Sequence, residues 1–329
     1  MISSALRRGR RKIIFLIGVA SLAIAMSAAF VARMCPRDVK ELVLAEDDRS
    51  GIDERLVLRL DRFSVLRYPD GKPKQYVSSV KTLEQATRKI TSAQISVNHP
   101  LRQNGWWIYQ MGCGVDETVT SRPVCCTVLR CVRDPLLPLA AAAGLFALAG
   151  ALILCFVPRF AAQKPATRLR RALSLCAAFV SAALPVFIVA RAVLAPEPPP
   201  ALQSVLMAPH AAAYAASYVI LLFAAFGIWR RAIPAGFFLM TVGLVAGAFW
   251  GKLAWSDWWQ FDPKENWSLA TWCAFAIHLL LPAESRWSWA FLWIGVVLIV
   301  ITFAWVNFSG FSESIHSYAD FLPSVFAGV

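Results

Sequence analysis

Arg7-Arg8-Gly9-Arg10-Arg11-Lys12 runs straight into Ile13-Ile-Phe-Leu-Ile-Gly-Val-Ala-Ser-Leu-Ala-Ile-Ala-Met-Ser-Ala-Ala-Phe-Val-Ala32, a stretch without a single charge. A bilayer core of roughly 30 Å takes about 20 helical residues to cross, so this stretch reads as a membrane span. By the positive-inside rule its basic flank puts the N-terminus in the cytoplasm. The small residues around Ala25–Ala29 would also suit a cleaved signal peptide, but the apolar run is longer than the usual 7–15 residues of such peptides. A retained anchor is therefore expected, and either reading leaves residues 35–134 outside.

The same pattern recurs downstream at 136–157, 172–193, 211–229, 233–250, 267–283 and 287–307, seven segments in all. Alternation makes 158–171, 230–232 and 284–286 cytoplasmic, and these loops carry Arg159, Lys164, Arg168, Arg170, Arg171, Arg230, Arg231 and Arg286. The opposite loops, 194–210 and 308–329, have no Lys or Arg. Composition agrees: 58% of residues are apolar and only 16% charged, against about 25% charged in soluble domains. The net charge of +13 sits largely at the ends of apolar segments, so topology explains it and nucleic acid is not expected as a partner. P-loop, GxGxxG, zinc-finger and HExxH patterns are all absent from the sequence. The expected fold is an all-α polytopic membrane protein of about seven transmembrane helices with one small, mainly-β extracytoplasmic domain. Its parts would be 1–34 (basic tail and anchor), 35–134 (external domain) and 135–329 (six-helix membrane domain).

Within the external stretch, Leu56, Leu58 and Leu60 share a strand face, and Tyr68-Pro69-Asp70-Gly71 is a turn before Tyr76–Val80. Ile95–Val97 and Trp106–Tyr109 read as further strands, giving a small antiparallel sheet. Residues 195–200 (Ala-Pro-Glu-Pro-Pro-Pro) form a stiff external linker. Five cysteines lie outside, namely Cys35, Cys113, Cys125, Cys126 and Cys131, where disulfides can persist. A Cys35–Cys131 bridge would staple the two ends of the domain. Without CxxC or CxxCH, neither a thioredoxin-like role nor covalently attached haem of the chain's own is expected.

Chemistry concentrates at Trp250-Gly-Lys-Leu-Ala-Trp255-Ser-Asp-Trp258-Trp259-Gln-Phe261-Asp262-Pro-Lys-Glu265-Asn-Trp267, on the outer side between the fifth and sixth segments. Single tryptophans there are ordinary interfacial anchors. Six aromatics crowded around Asp262–Glu265 also suit a large planar ligand held by offset stacking, with Lys252 and Lys264 available to its carboxylates. Of the four histidines, His210 and His316 flank the same outer side, and neutral imidazole is a common axial ligand of haem iron. His278 lies about eleven residues into the sixth segment, near mid-membrane, where an ionisable side chain marks a functional site by default; Trp267, Thr271 and His278 fall on one helical face. His99 reads as part of a strand-connecting turn. Gly243, Gly247 and Gly251 recur every fourth residue, a groove for close helix packing or for a flat ring.

The run Trp250–Trp267 resembles the tryptophan-rich "WWD" signature of haem-handling cytochrome c assembly proteins, the CcsA/ResC type of the System II pathway. Ile315-His316-Ser317-Tyr318, Pro209-His210 with Tyr214 and Tyr218, and His278 resemble that family's histidine motifs, over roughly 205–320. Arg59–Phe63, Tyr68–Gly71, Val97-Asn98-His99-Pro100-Leu101 and Gly105–Gln110 are similar to the extracytoplasmic domain of ResB proteins. The chain thus looks like a short natural ResB–ResC-type fusion. Phe261 stands where that family usually has Trp, keeping a stacking face without the indole N–H, and Ser256 replaces a glycine. The first segment lacks the intramembrane histidine that fused members usually carry.

The resemblance implies cytochrome c biogenesis. Haem b would be bound non-covalently as cargo at the outer face of the inner (cytoplasmic) membrane, with His210 and His316 as iron ligands. Trp250, Trp255, Trp258, Trp259, Phe261, Asp262, Trp267 and His278 would contribute to the haem site, while Asp262 and Glu265 suit loop structure. The implied partners are apocytochrome c with its CxxCH motifs, another System II component, a thiol reductant and the lipid bilayer. Whether such a chain is the membrane part of a haem lyase (holocytochrome c synthase), a haem exporter or chaperone without ligation, or a haem-free scaffold stays open at this point.

Overall fold

The computed structural model describes residues 2–116, 124–157, 197–228 and 230–302, with a few positions between 172 and 190. Helix α1 (Ile2–Met34) leads into eight strands: β1 (Asp38–Leu44), β2 (Arg49–Gly51), β3 (Leu56–Arg67), β4 (Pro73–Glu84), β5 (Lys89–Ser96), β6 (Leu101–Gln103), β7 (Trp106–Asp116) and β8 (Val124–Arg133). Helix α2 (Leu137–Cys155) follows, then a 3-10 turn at Pro200–Gln203 and helices α3 (Met207–Ala225), α4 (Ile233–Trp255), α5 (Pro263–Leu280) and α6 (Arg286–Val300).

The strands build two four-stranded antiparallel sheets, in the orders β1-β8-β7-β6 and β2-β3-β4-β5, rather than the single small sheet expected. Leu56, Leu58 and Leu60 do share one face, and all three are fully buried with Val80, Ile95, Ile108 and Leu129. Alternation put them there, because side chains two apart on a strand point the same way. The Tyr68–Gly71 turn forms as its residues predict: the Gly71 N–H donates to the Tyr68 carbonyl (2.9 Å), and Gly71 holds a φ of 89° that favours glycine. Strands β1 and β8 were missed, since neither has clean alternation, yet they pair in register from Asp38↔Arg133 to Leu44↔Thr127. A buried polar knot lies within the core. Ser78 Oγ donates to Gln110 Oε1 (2.6 Å), and Gln110 Nε2 donates to Thr127 Oγ1 (2.9 Å), satisfying groups whose burial would otherwise be costly.

No Cys35–Cys131 staple is present: both are free thiols. Cys131 points into the apolar core opposite Lys40, five residues from Cys35. That burial pushes its thiol up to about 12.

Four helices are long and apolar enough to cross a membrane, namely Lys12–Met34, Leu137–Cys155, Met207–Ala225 and Arg230–Trp255, and the chain is a multi-pass membrane protein. The expected seven are thus four among the described residues. The 172–193 segment lies almost wholly outside those residues, α5 begins with the polar Lys264, Glu265 and Asn266, and α6 is described over only 15 residues. Small residues let the helices approach closely. A Cβ at Gly150 would sit 2.9 Å from the Gly18 carbonyl oxygen, so α1 and α2 meet backbone to backbone.

Candidate functional site

The tryptophan-rich loop is a helix-to-helix corner shaped by its own sequence. Helix α4 ends where Ser256 turns left-handed (φ 70°), and Phe261 is left-handed as well (φ 59°), an uncommon state for a bulky residue. Asp262 then caps α5: its side chain accepts from the Lys264 N–H (3.0 Å), with Pro263 in the first turn. Glu265 Oε2 accepts from the Gln260 N–H (2.8 Å), and Asn266 Nδ2 donates to the Phe261 carbonyl (2.8 Å). Asp262 and Glu265 are thereby engaged in building the corner.

Around this corner the structure assembles an aromatic wall with a histidine in it. The His210 ring stands edge-on to Tyr214 (5.2 Å) and tilted against Trp250 (5.6 Å), and Trp250 continues to Trp255 (5.2 Å). His210 Nδ1 lies 2.8 Å from the Gly243 carbonyl oxygen. A carbonyl only accepts, so Nδ1 carries a proton. This is the second contact by which proteins fix the tautomer and plane of a metal-ligating imidazole. The glycine ladder is explained by the same contact. A Cβ on Gly243 would fall 2.6 Å from Tyr214 Cδ2, and one on Gly247 2.6 Å from His210 Nδ1. At Gly243 and Gly247 the groove is filled by α3 side chains, so these two glycines serve helix packing and seat the histidine, whereas Gly251 faces the Asp257 carbonyl oxygen instead (3.1 Å from where a Cβ would stand).

The other expected residues divide. Trp250 is buried, its Nε1 donating to the Ala201 carbonyl (2.9 Å). Trp258 packs edge-on against Phe249 (4.9 Å), and Trp259 Nε1 donates to Asn266 Oδ1 (3.3 Å). Phe261 is 55% exposed and Trp267 37%, faces open to a planar ligand. The Arg33 guanidinium, unremarked in the sequence, lies 5.2 Å over the Phe261 ring, where it can meet an acid group of anything stacked there. His278 occupies the last turn of α5, its Nδ1–H donating to the Ser288 carbonyl (2.7 Å). It shares burial with Thr271 but not with Trp267, roughly 16 Å away along the helix. His316 lies outside the described residues.

Lys252, read from sequence as a partner for ligand carboxylates, is engaged elsewhere. Its ammonium pairs with Asp134 (3.1 Å), both side chains buried, and donates to the Ser256 carbonyl (3.1 Å). Arg37 pairs with Asp257 beside it. Tyr109 is buried against this cluster, and its phenol is held well above its usual range by burial first and then by Asp134 and Asp257. These ion pairs join the end of β8 and the start of β1 to the tryptophan-rich corner. Asp134 could not be found from sequence, although a lysine inside an apolar run was a signal that some acid must face it.

Residues 227–316 match the family model described as cytochrome C assembly protein, and residues 22–126 match that of the ResB-like family. Among similar proteins are two named cytochrome c biogenesis protein CcsA. That of Prochlorococcus marinus (strain MIT 9303) is 40% identical over 98 residues, 29% of this chain and 30% of the relative. That of Guillardia theta is 41% identical over 92 residues, 27% of this chain and 30% of the relative. The matched stretch thus spans about a third of these relatives' length. The first seven strands lie inside one match and the tryptophan-rich corner inside the other, so the chain joins a segment similar to the ResB-like family to one similar to the CcsA-type cytochrome c assembly proteins.

Proposed function

We propose that this chain handles haem at the outer membrane face during cytochrome c assembly, holding it as cargo and presenting it to the CxxCH thiols of apocytochrome c. The observation that carries this reading is the His210 setting: an imidazole whose Nδ1–H is committed to the Gly243 carbonyl, walled by Trp250 and Tyr214. The fit to haem is chemical. Among the described residues no group of three or more His, Cys, Asp or Glu could hold a bare metal ion, whereas a porphyrin brings four ligands and needs only axial ones. His316 is assigned as the second axial ligand. Two imidazoles would keep the iron six-coordinate and limit its reaction with oxygen until apocytochrome displaces one. Trp255, Trp258, Trp259, Phe261 and Trp267 are assigned to docking the ring plane and Arg33 to an acidic edge. His278, at the far end of α5, is assigned to an early contact on the path outward. The inner membrane, a further System II component and a thiol reductant belong to the same proposal.

The absorption spectrum of the purified chain tests it, with a Soret band expected. His210→Ala should abolish the low-spin spectrum, and added imidazole should restore part of it. A purified chain without a Soret band would leave a haem-free scaffold as the reading. An unchanged low-spin spectrum in His210→Ala would remove His210 as a ligand. Co-expression with a CxxCH reporter then separates ligation from chaperoning.

A further inference from the structure

Asn98 belongs to the Val97–Leu101 motif, yet nothing in the site so far uses it. It sits at the corner of a tight turn closed by the His99 N–H on the Ser96 carbonyl (2.9 Å), with a φ of 70°, a left-handed state that Asn tolerates better than most residues. Only 8% exposed, it reaches the segment that precedes α3. Its Nδ2 donates to the carbonyls of Pro200 (2.9 Å) and Ala201 (3.2 Å). The Ala201 carbonyl also accepts from Trp250 Nε1 (2.9 Å). A carbonyl oxygen has two lone pairs, and here one faces the β part and the other faces α4. The same segment is pinned at its ends, by the Tyr68 O–H donating to the Pro198 carbonyl (2.9 Å) and by Gln203 Nε2 donating to the Lys74 carbonyl (2.7 Å).

We propose that Asn98 is a positioning residue for His210. The β part fixes the Ala201 carbonyl through Asn98, that carbonyl fixes the Trp250 indole, and the indole sets the plane of the imidazole 5.6 Å away. The ResB-like segment thereby reaches the CcsA-type segment through two hydrogen bonds on one oxygen. This rests on the reading of His210 as an axial ligand.

The test uses the full chain. Asn98→Asp keeps the shape and the tolerance of a left-handed backbone but turns an acceptor toward two carbonyls. In the haem-loaded protein, free imidazole should displace the His210 side roughly fivefold faster, the scale of one hydrogen bond's net contribution, and the low-spin electron paramagnetic resonance signal should shift. Trp250→Phe, which keeps a ring but loses the N–H, should shift it the same way, and the double variant should be less than additive. Without haem, the ultraviolet resonance Raman band of the Trp250 indole, assigned by difference against Trp250→Phe, should move toward a weaker hydrogen bond in Asn98→Asp. A folded Asn98→Asp chain with unchanged indole band and unchanged haem signal, while His210→Ala alters that signal, overturns the positioning role alone. If His210→Ala alters nothing, the ligand reading falls instead, and the Raman band still decides the link from Asn98 to Trp250. Should Asn98→Asp fail to fold, an unaltered haem signal in Trp250→Phe overturns the proposal.

Discussion

His210 owes its setting to an absent side chain. Gly247 leaves room for the imidazole, and a methyl there would lie 2.6 Å from Nδ1, so Gly247→Ala must push the ring off the Gly243 carbonyl or part α3 from α4. Overpacking of this kind costs roughly 1–3 kcal/mol. Gly247→Ala is therefore expected to lower haem content per folded protein nearly as far as His210→Ala, and retention of wild-type haem content would separate the glycine from the site. The tryptophans answer a different comparison. Trp258 and Trp259 are tied into the corner, whereas Trp293, on α6, packs against Phe226 at the end of α3. Stacking adds on the order of 0.5–1.5 kcal/mol beyond burial, so Trp258→Leu and Trp259→Leu should each weaken haem retention by about tenfold at most, with Trp293→Leu unaffected. Equal haem content in all three would make the aromatics interfacial anchors.

Helix α4 carries its last turn into an ion-paired seam with the strands, and its lysine shows how secondary elements are joined there. Lys252 and Asp134 are both almost wholly buried, and removing one partner of a buried pair leaves an uncompensated charge, a loss of roughly 3–5 kcal/mol. Lys252→Met and Asp134→Asn should each lower the thermal midpoint clearly, while the double variant should recover much of the loss. A double variant as unstable as the sum of the singles would mean the two charges act apart.

Across the whole molecule, stability against pH should be limited from both sides by groups in the β part. Although burial opposes ionisation of Asp53, hydrogen bonds from Trp106 Nε1, the Arg55 and Leu56 N–H groups and Arg133 hold its carboxyl below the usual 3.8. A lowered folded value means stability present above 3.8 and lost as pH falls through the folded value. Cys131 works the other way: its thiol is raised from 9.0 to about 12, so its contribution is intact below 9 and fades as pH climbs toward 12. Unfolding followed across pH should show both edges, with Asp53→Asn flattening the acid one and Cys131→Ala the alkaline one. The same burial predicts thiol labelling. Exposed Cys113 should react with a maleimide in the native chain and Cys131 only after unfolding, and rapid native labelling of Cys131 would contradict its place in the core of the β part.

Hydropathy and strand alternation were enough to read a multi-pass membrane protein with a β part after its first span, because partition into lipid and strand alternation act on neighbouring residues. The Leu56–Leu60 face and the Tyr68–Gly71 turn were legible for the same local reason. The pairing of β1 with β8, the Lys252–Asp134 pair and the Asn98–Ala201–Trp250 junction were not, since each joins residues roughly fifty to well over a hundred positions apart. Such contacts depend on which elements meet and in what register, and no local pattern encodes that. His210 stands at the boundary. Its residue type and its place at the start of a helix could be read along the chain, but the proton on Nδ1 was decided only when the Gly243 carbonyl came within 2.8 Å, because a tautomer is fixed by the partner a folded chain supplies.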